Sequence, residues 1–291
     1  MRETTLADIK RRRQVLDTVS FFLSYAFLIL GAMAMIAPFL WMLTTSLSEA
    51  RDVWRTKEFW WQGWVPTKFI YQNYIEAFQV VPFAKFYLNS IFVTLCITAG
   101  TVFTSSLAGY AFARLSFPGR DKIFMLYLAT LMLPGVITMI PVFILLSKLG
   151  WIDTYWAIIL PGIFTAYGTF LLRQFFMSLP RALEDAAKID GCSLFGIYFR
   201  IILPLSKPAL ATLTTFTFMG SWMSFMWPLI VLSSEEKYTL PIGIQYFKSL
   251  HSTDWTLLMA GSVMALFPIL VVFIFTQRYF VEGIKLSGIK G

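Results

Sequence analysis

Long apolar stretches alternate with short charged ones along the whole chain. Six stretches contain no Asp, Glu, Lys or Arg: Thr18–Ser48, Phe86–Ala113, Ile123–Ser147, Thr154–Leu172, Pro208–Ser234 and Trp255–Gln277. They hold 31, 28, 25, 19, 27 and 23 residues, and a helix needs roughly 20 to cross a hydrocarbon core about 30 Å thick. A membrane β-barrel would show short alternating segments instead. The pattern therefore predicts an all-α, polytopic membrane protein with about six transmembrane helices, near 20–46, 88–113, 123–146, 154–174, 207–232 and 256–278. No low-complexity run or soluble insert interrupts them, so residues 1–291 read as a single transmembrane domain.

Composition agrees with the pattern. Of the 291 residues 57% are hydrophobic and 14% charged, against about 25% charged in an ordinary soluble domain. Charge also fixes an expected orientation. The N-terminal segment, the second and fourth connections and the C-terminal tail carry 16 Lys/Arg against 8 acids, while the opposite side balances at 8 and 8. By the positive-inside rule both termini are expected in the cytoplasm. The Lys10-Arg11-Arg12-Arg13 run then reads as a topology anchor beside the first span rather than a nucleic-acid patch. The start resembles a signal peptide, but its apolar stretch exceeds the usual 7–15 residues, so it reads as an uncleaved span. Cys96 falls in a span and Cys192 in a connection, so the two are not expected to pair.

Several spans contain proline (Pro38, Pro134, Pro141, Pro161, Pro228, Pro268), which removes a backbone donor and tends to kink a helix. In the connection Glu49 to Lys85, Trp60, Trp61 and Trp64 suit an interfacial aromatic belt. The fourth connection, Arg173 to Lys207, is the most structured. Pro180 suits a helix start, and Glu184 and Asp185 follow where acids favour the positive end of the helix. Gly191 interrupts, Ser193 is placed to cap a second short helix, and Pro204 marks the entry to the fifth span. A helix–turn–helix elbow over 178–204, lying on the cytoplasmic surface, is expected.

Catalytic chemistry finds no support in the residues. There is no GxxxxGK[ST] loop, the approach at Gly283 to Gly288 lacking both the lysine position and the hydroxyl. No HExxH occurs and His251 is the one histidine, so no metal site is expected. The spans lack the buried carboxylate or lysine typical of ion-coupled carriers. Energy for uphill transport would have to enter from a partner.

Asp185-Ala186-Ala187, three residues, Gly191, nine residues and Ile201-Ile202-Leu203-Pro204 resemble the EAA loop of ABC-importer permeases, with Asp185 where that loop usually has Glu. Glu184 is adjacent but about 100° around the helix. Other stretches are similar to the carbohydrate (maltose-type) branch, in particular its smaller permease subunit: Asn89-Ser90, Leu133-Pro134-Gly135, Leu149-Gly150-Trp151-Ile152-Asp153-Thr154, Leu171-Leu172-Arg173-Gln174-Phe175-Phe176, Trp227-Pro228-Leu229 and the terminal Gly288-Ile289-Lys290-Gly291. Met223 departs from the branch, which often has Asn after this Trp.

The resemblance implies a type I ABC-importer permease of the bacterial cytoplasmic (inner) membrane. Such a subunit forms half of the translocation pathway for a sugar or oligosaccharide, the alternative being a non-sugar solute such as glycerophosphate or a polyamine. Implied partners are a second homologous permease subunit, two ATP-binding subunits and an external solute-binding protein, with no nucleic acid. The chain itself would be non-catalytic and bind no cofactor, ATP and Mg being held by the ATPase subunits. Glu184, Asp185, Ala186, Ala187, Asp190, Gly191, Ile201, Leu203 and Pro204 would couple to an ATPase, and Lys290 would touch it from the tail. Thr239, Leu240, Pro241, Ile242 and Gly243, in a hairpin between the last two spans, would meet the binding protein. The resemblance names no solute-binding residue and leaves open whether the solute is neutral or acidic.

Overall fold

The computed structural model of the protein describes residues 2–53, 64–248 and 253–288. Its elements are helices. In chain order they are α1 (Arg2–Ser46), α2 (Ala50–Val53), α3 (Gln72–Val80), α4 (Phe83–Arg114), α5 (Arg120–Ala129), α6 (Gly135–Lys148), α7 (Trp156–Gly162) and α8 (Ala166–Ser178). There follow α9 (Ala182–Ile189), α10 (Leu194–Ile197), α11 (Leu203–Leu205), α12 (Lys207–Trp222), α13 (Met226–Val231), α14 (Leu240–Ile244) and α15 (Trp255–Gly288).

Four helical stretches are long and apolar enough to cross a membrane: Leu16–Ser46, Phe83–Arg114, Trp156–Ser178 and Trp255–Tyr279. Two more qualify as bent pairs, Arg120–Met132 with Gly135–Lys148 at 103° and Leu194–Leu205 with Lys207–Trp222 at 78°. The stretch expected as a third span is therefore not one straight helix. It turns at Leu133-Pro134, where Pro134 is extended (φ −58°, ψ 130°) and starts α6. Pro38 and Pro268, by contrast, sit inside continuous helices.

The described residues form two compact units, one within Met1–Glu76 and Leu250–Val263, the other within Ala77–Ser249 and Met264–Gly291. In the first, α1 exposes Phe21, Phe22, Phe27 and Leu28 along its apolar length, a surface that lipid solvates and water would not. Its C-terminal carbonyls need partners, and the buried Asn73 amide donates to Ser46 O and Ser48 O, both at 2.9 Å. Asp254 opens α15 in the same manner at the other polarity, its Oδ1 accepting from the backbone N–H groups of Thr256 and Leu257.

The second unit is built on α4, which packs against α8 and α12. Its buried face is lined by small residues, Ser90, Thr94, Thr98, Thr101, Ser105, Ser106 and Gly109, the kind that let helices approach closely where lipid offers no hydrophobic drive. Tyr110, Ala113, Leu172, Phe176, Ala187, Ile197, Tyr198, Ile202, Ala209 and Leu213 form one core at the C-terminal end of α4. Val93, Ile97, Ala157, Ile158, Val231, Leu232 and Ile242 belong to another, nearer its start. Trp222 Nε1 donates to Ala265 O at 2.9 Å and ties α12 to α15.

Candidate functional site

The elbow between α8 and α12 has the form its residues dictate. α9 carries Glu184 and Asp185 in its first turn and Lys188 in its last, the arrangement that complements a helix dipole. It stops at Gly191, whose φ of +77° costs a glycine little and a β-branched residue a good deal. Gly191 N–H donates to Lys188 O (3.0 Å) and Cys192 N–H to Ala187 O (2.9 Å), the paired bonds of a Schellman C-terminus. Ser193 Oγ then accepts from Gly196 N at 3.2 Å and caps α10. A π turn over Tyr198–Ile202 leads into α11, with Tyr198 buried and its hydroxyl 2.6 Å from Ser106 Oγ on α4.

One buried ion pair fastens this elbow to the membrane helices. Glu184 Oε1 lies 2.8 Å from Nε of Arg114, the last residue of α4, with both side chains about 5% exposed (4% and 6%). The contact lies off the N–H axis, so charge rather than an aligned hydrogen bond holds it. Arg114 Nη2 meanwhile donates to Phe176 O and Leu179 O where α8 ends, Phe176 O also accepting from the Leu179 N–H. A single guanidinium thus joins the ends of α4 and α8 to the start of α9.

Burial sorts the expected elbow residues into two groups. Glu184 and Ala187 face inward, and Ile201 and Leu203 are half-buried against the same core. Asp185, Ala186, Asp190, Gly191 and Pro204 are exposed. Asp185 pairs with Lys188 at 3.4 Å on the surface. The free face also presents Leu183, Phe195 and, at 87% exposure, Ile189. Arg114 was not visible as a functional residue from its surroundings in sequence. Its place in the last turn of a long apolar helix was the available signal.

At the other end of α4, about 48 Å away by helical rise, the connection after α13 is clamped rather than free. Asp153, held at φ 60°, accepts from Ser233 N and Ser234 N, both 2.9 Å, and from the Ser234 hydroxyl. Lys237 Nζ reaches its Oδ2 at 2.9 Å. The Ser234 hydroxyl, the Ser234 N–H and Lys237 hold the Asp153 carboxyl well below the usual carboxylate range, so the clamp is charged at any pH above that range and fails only in strong acid. Asn89 donates to Glu236 O and Tyr238 O, and Ser90 Oγ accepts from Leu240 N.

This clamp changes the standing of the hairpin residues. Thr239, Leu240, Ile242 and Gly243 are buried within the chain and Pro241 is half-buried. A Cβ on Gly243 would lie far inside van der Waals contact of Cδ2 in the Phe86 ring. The exposed described residues of this connection are Ser233, Glu235, Glu236, Gln245, Tyr246 and Lys248. Lys290 lies outside the described residues, as do Trp60, Trp61 and His251.

Between these two ends lies a cavity of about 950 Å³, bordered by α4, α6, α7, α8, α12 and α13. Thr101, Thr138, Thr165, Tyr167, Thr217, Ser221 and Ser224 are the hydroxyl-bearing residues among those lining it, and none of the described residues lining it is charged. Met223 points elsewhere, 64% exposed and absent from the lining, while its neighbours Ser224 and Phe225 contribute to it.

Helices of this length with exposed apolar surfaces, an open cavity between them and a structured elbow point to a polytopic membrane transport component. The chain belongs to the family of binding-protein-dependent transport system inner membrane components, which it matches over residues 101–285. It is thus a multi-pass protein of the bacterial inner membrane and an ABC-importer permease by family. It is 40% identical over 227 residues, 78% of this chain and 81% of the relative, to the arabinooligosaccharides transport system permease protein of Halalkalibacterium halodurans. Its fold is shared with a bacterial ABC transporter involved in the import of the acidic polysaccharide alginate, at a TM-score of 0.81 and 23% identity over 91% of this chain and 97% of the other. A second structure of an alginate ABC transporter, in complex with a periplasmic protein bound to alginate pentasaccharide, matches at a TM-score of 0.61 and 15% identity over 88% and 93% of the two chains.

Proposed function

We propose that this chain is one permease half of an ATP-driven, binding-protein-dependent importer of sugars or oligosaccharides. The observation that carries the reading is the elbow. Its inner face is bolted to α4 and α8 through Glu184 and Arg114, and its outer face leaves Leu183, Ile189 and Phe195 uncovered beside Asp185 and Lys188. An apolar patch rimmed by charge at the end of a membrane helix suits a protein partner. In this family reading that partner is an ATP-binding subunit, which holds ATP and Mg and performs the hydrolysis, while this chain carries no catalysis of its own. The positive-inside distribution of Lys and Arg supports a cytoplasmic elbow and cytoplasmic termini. A second permease subunit completes the pathway, and the relative's saccharide cargo supports a saccharide here.

On the opposite face the clamped connection offers Glu235, Glu236 and Tyr246 to an external binding protein. Photo-crosslinking residues placed at Ile189 and at Tyr246 test both assignments in the intact complex. Position 189 is expected to give an adduct with an ATP-binding subunit, and position 246 an adduct with the binding protein only when that protein is present. Exchange of the two adducts would reverse the orientation, and loss of the first would remove the coupling role.

A further inference from the structure

α4 and α8 exchange guanidinium groups. Arg114 at the end of α4 donates to the carbonyls of Phe176 and Leu179 where α8 ends. Arg173 on α8 returns the contact, its Nε donating to Phe112 O in the last turn of α4 at 3.2 Å. Near these two contacts the helices approach closely at Gly109, where a Cβ would lie 3.1 Å from Arg173 N and 3.3 Å from Thr169 O. The ends of α4 and α8 are thereby braced as one piece.

The two arginines face different neighbours. Arg114 meets Glu184 of the elbow. Arg173 places its Cζ 4.1 Å from the centroid of the Phe124 ring on α5, and that ring also packs on Phe112, with centroids 5.3 Å apart. Of the described residues of α5, Phe124 alone is buried. The start of α5 is pinned to the preceding turn by Arg120 Nη1, which donates to Leu115 O. Beyond that pivot Phe124, one turn on, is the buried contact that sets the direction of the helix. Arg173 is 13% exposed, whereas its other neighbour on α5, Asp121, lies 3.8 Å away and is 69% exposed. Water screens the ion pair, so the stacked cation is the stronger tie.

We infer that Arg173 is a positioning residue for transport: through its stack on Phe124 it passes a displacement of the elbow to α5 and, across the 103° bend between Met132 and Gly135, to α6. The path runs from Glu184 through Arg114 to the end of α8, and from Arg173 one turn back on α8 to the ring on α5. A guanidinium suits the place because its face stacks while its edge donates to Phe112 O, which a lysine ammonium does not reproduce. With the stack broken, α5 keeps only its pivot, and the elbow is free to move without it. This rests on the importer reading and adds to it the residue that carries motion from the elbow to the broken helix pair.

The test compares the complete complex, with its ATPase subunits and binding protein in proteoliposomes, carrying Arg173→Gln, Phe124→Leu or both. Leucine keeps an apolar side chain at position 124 and removes the ring face, so folding is spared where the stack is lost. Saccharide uptake and ATP hydrolysis are measured on the same vesicles. Each single change is expected to leave hydrolysis within about twofold and to cut the saccharide moved per ATP at least tenfold. The double change is expected to cost no more than either alone, since both break one contact. Uptake and hydrolysis falling together would make Arg173 a structural brace, losses that multiply in the double variant would make the two residues independent, and unchanged uptake would remove the role; each overturns the inference. Failure of the importer reading looks different, since the unmodified complex would then move no saccharide at all.

Discussion

Replacing Arg114 with glutamine is expected to abolish ATP-driven uptake and to lower the thermal stability of the assembled complex more than any surface substitution. The change removes the charge facing Glu184 at 2.8 Å and the guanidinium's bonds to the carbonyls of Phe176 and Leu179. Stranding one member of a buried ion pair costs about 3–5 kcal/mol, a large share of a membrane subunit's reserve. Glu184→Gln is expected to do less, because an amide keeps a carbonyl for the guanidinium. The double change Arg114→Gln with Glu184→Gln is the sharper probe. With no buried charge left unpaired it is expected to recover stability relative to Arg114→Gln alone. Strictly additive losses would mean that the two residues act independently.

Gly191→Val is expected to leave the membrane subunit abundant while cutting uptake and recovery of the ATPase subunits at least tenfold. Nothing lies within 4 Å of a Cβ built at this position, so the effect comes from the backbone and not from a clash. A β-branched residue at φ +77° costs about 1–3 kcal/mol of local strain, and the turn is expected to relieve it by opening and swinging α9 away from its docking angle. The series separates conformation from volume. Asparagine, which tolerates the left-handed region, is expected to function better than alanine although it is larger, and alanine better than valine. An order following side-chain size would refute the conformational account.

How much of this was legible in the residues differs from feature to feature. Four of the uncharged runs coincide with single helical stretches long and apolar enough to cross a membrane, because apolarity is a property each segment carries by itself, whereas the runs expected as the third and fifth spans are broken. Where those helices break was only hinted at by proline. Pro134 stands at the start of a helix while Pro38 and Pro268 sit inside one, and neighbouring helices decide between the two outcomes. The elbow was legible in detail, since Gly191 and Ser193 act on their own backbone. Its inner anchor was not. The motif spacing pointed to Asp185, and helical geometry placed Glu184 about 100° away, but which of the two faces the core depends on Arg114, 70 positions earlier in the chain. In the hairpin expected to meet a binding protein, the apolar Leu240, Ile242 and Phe247 were the signal for the inward face that packs beside Phe86 and Ser90.

The central claim is that this chain moves saccharide across the inner membrane on energy supplied through its elbow. Uptake by proteoliposomes holding the purified complex, with binding protein outside and ATP inside, tests it most directly. Labelled neutral oligosaccharide is expected to accumulate against its gradient only when ATP, the binding protein and this subunit are all present, and to stop with Gly191→Val. Accumulation that persists without ATP or without this subunit, or a complex that hydrolyses ATP and carries no saccharide, would contradict the account.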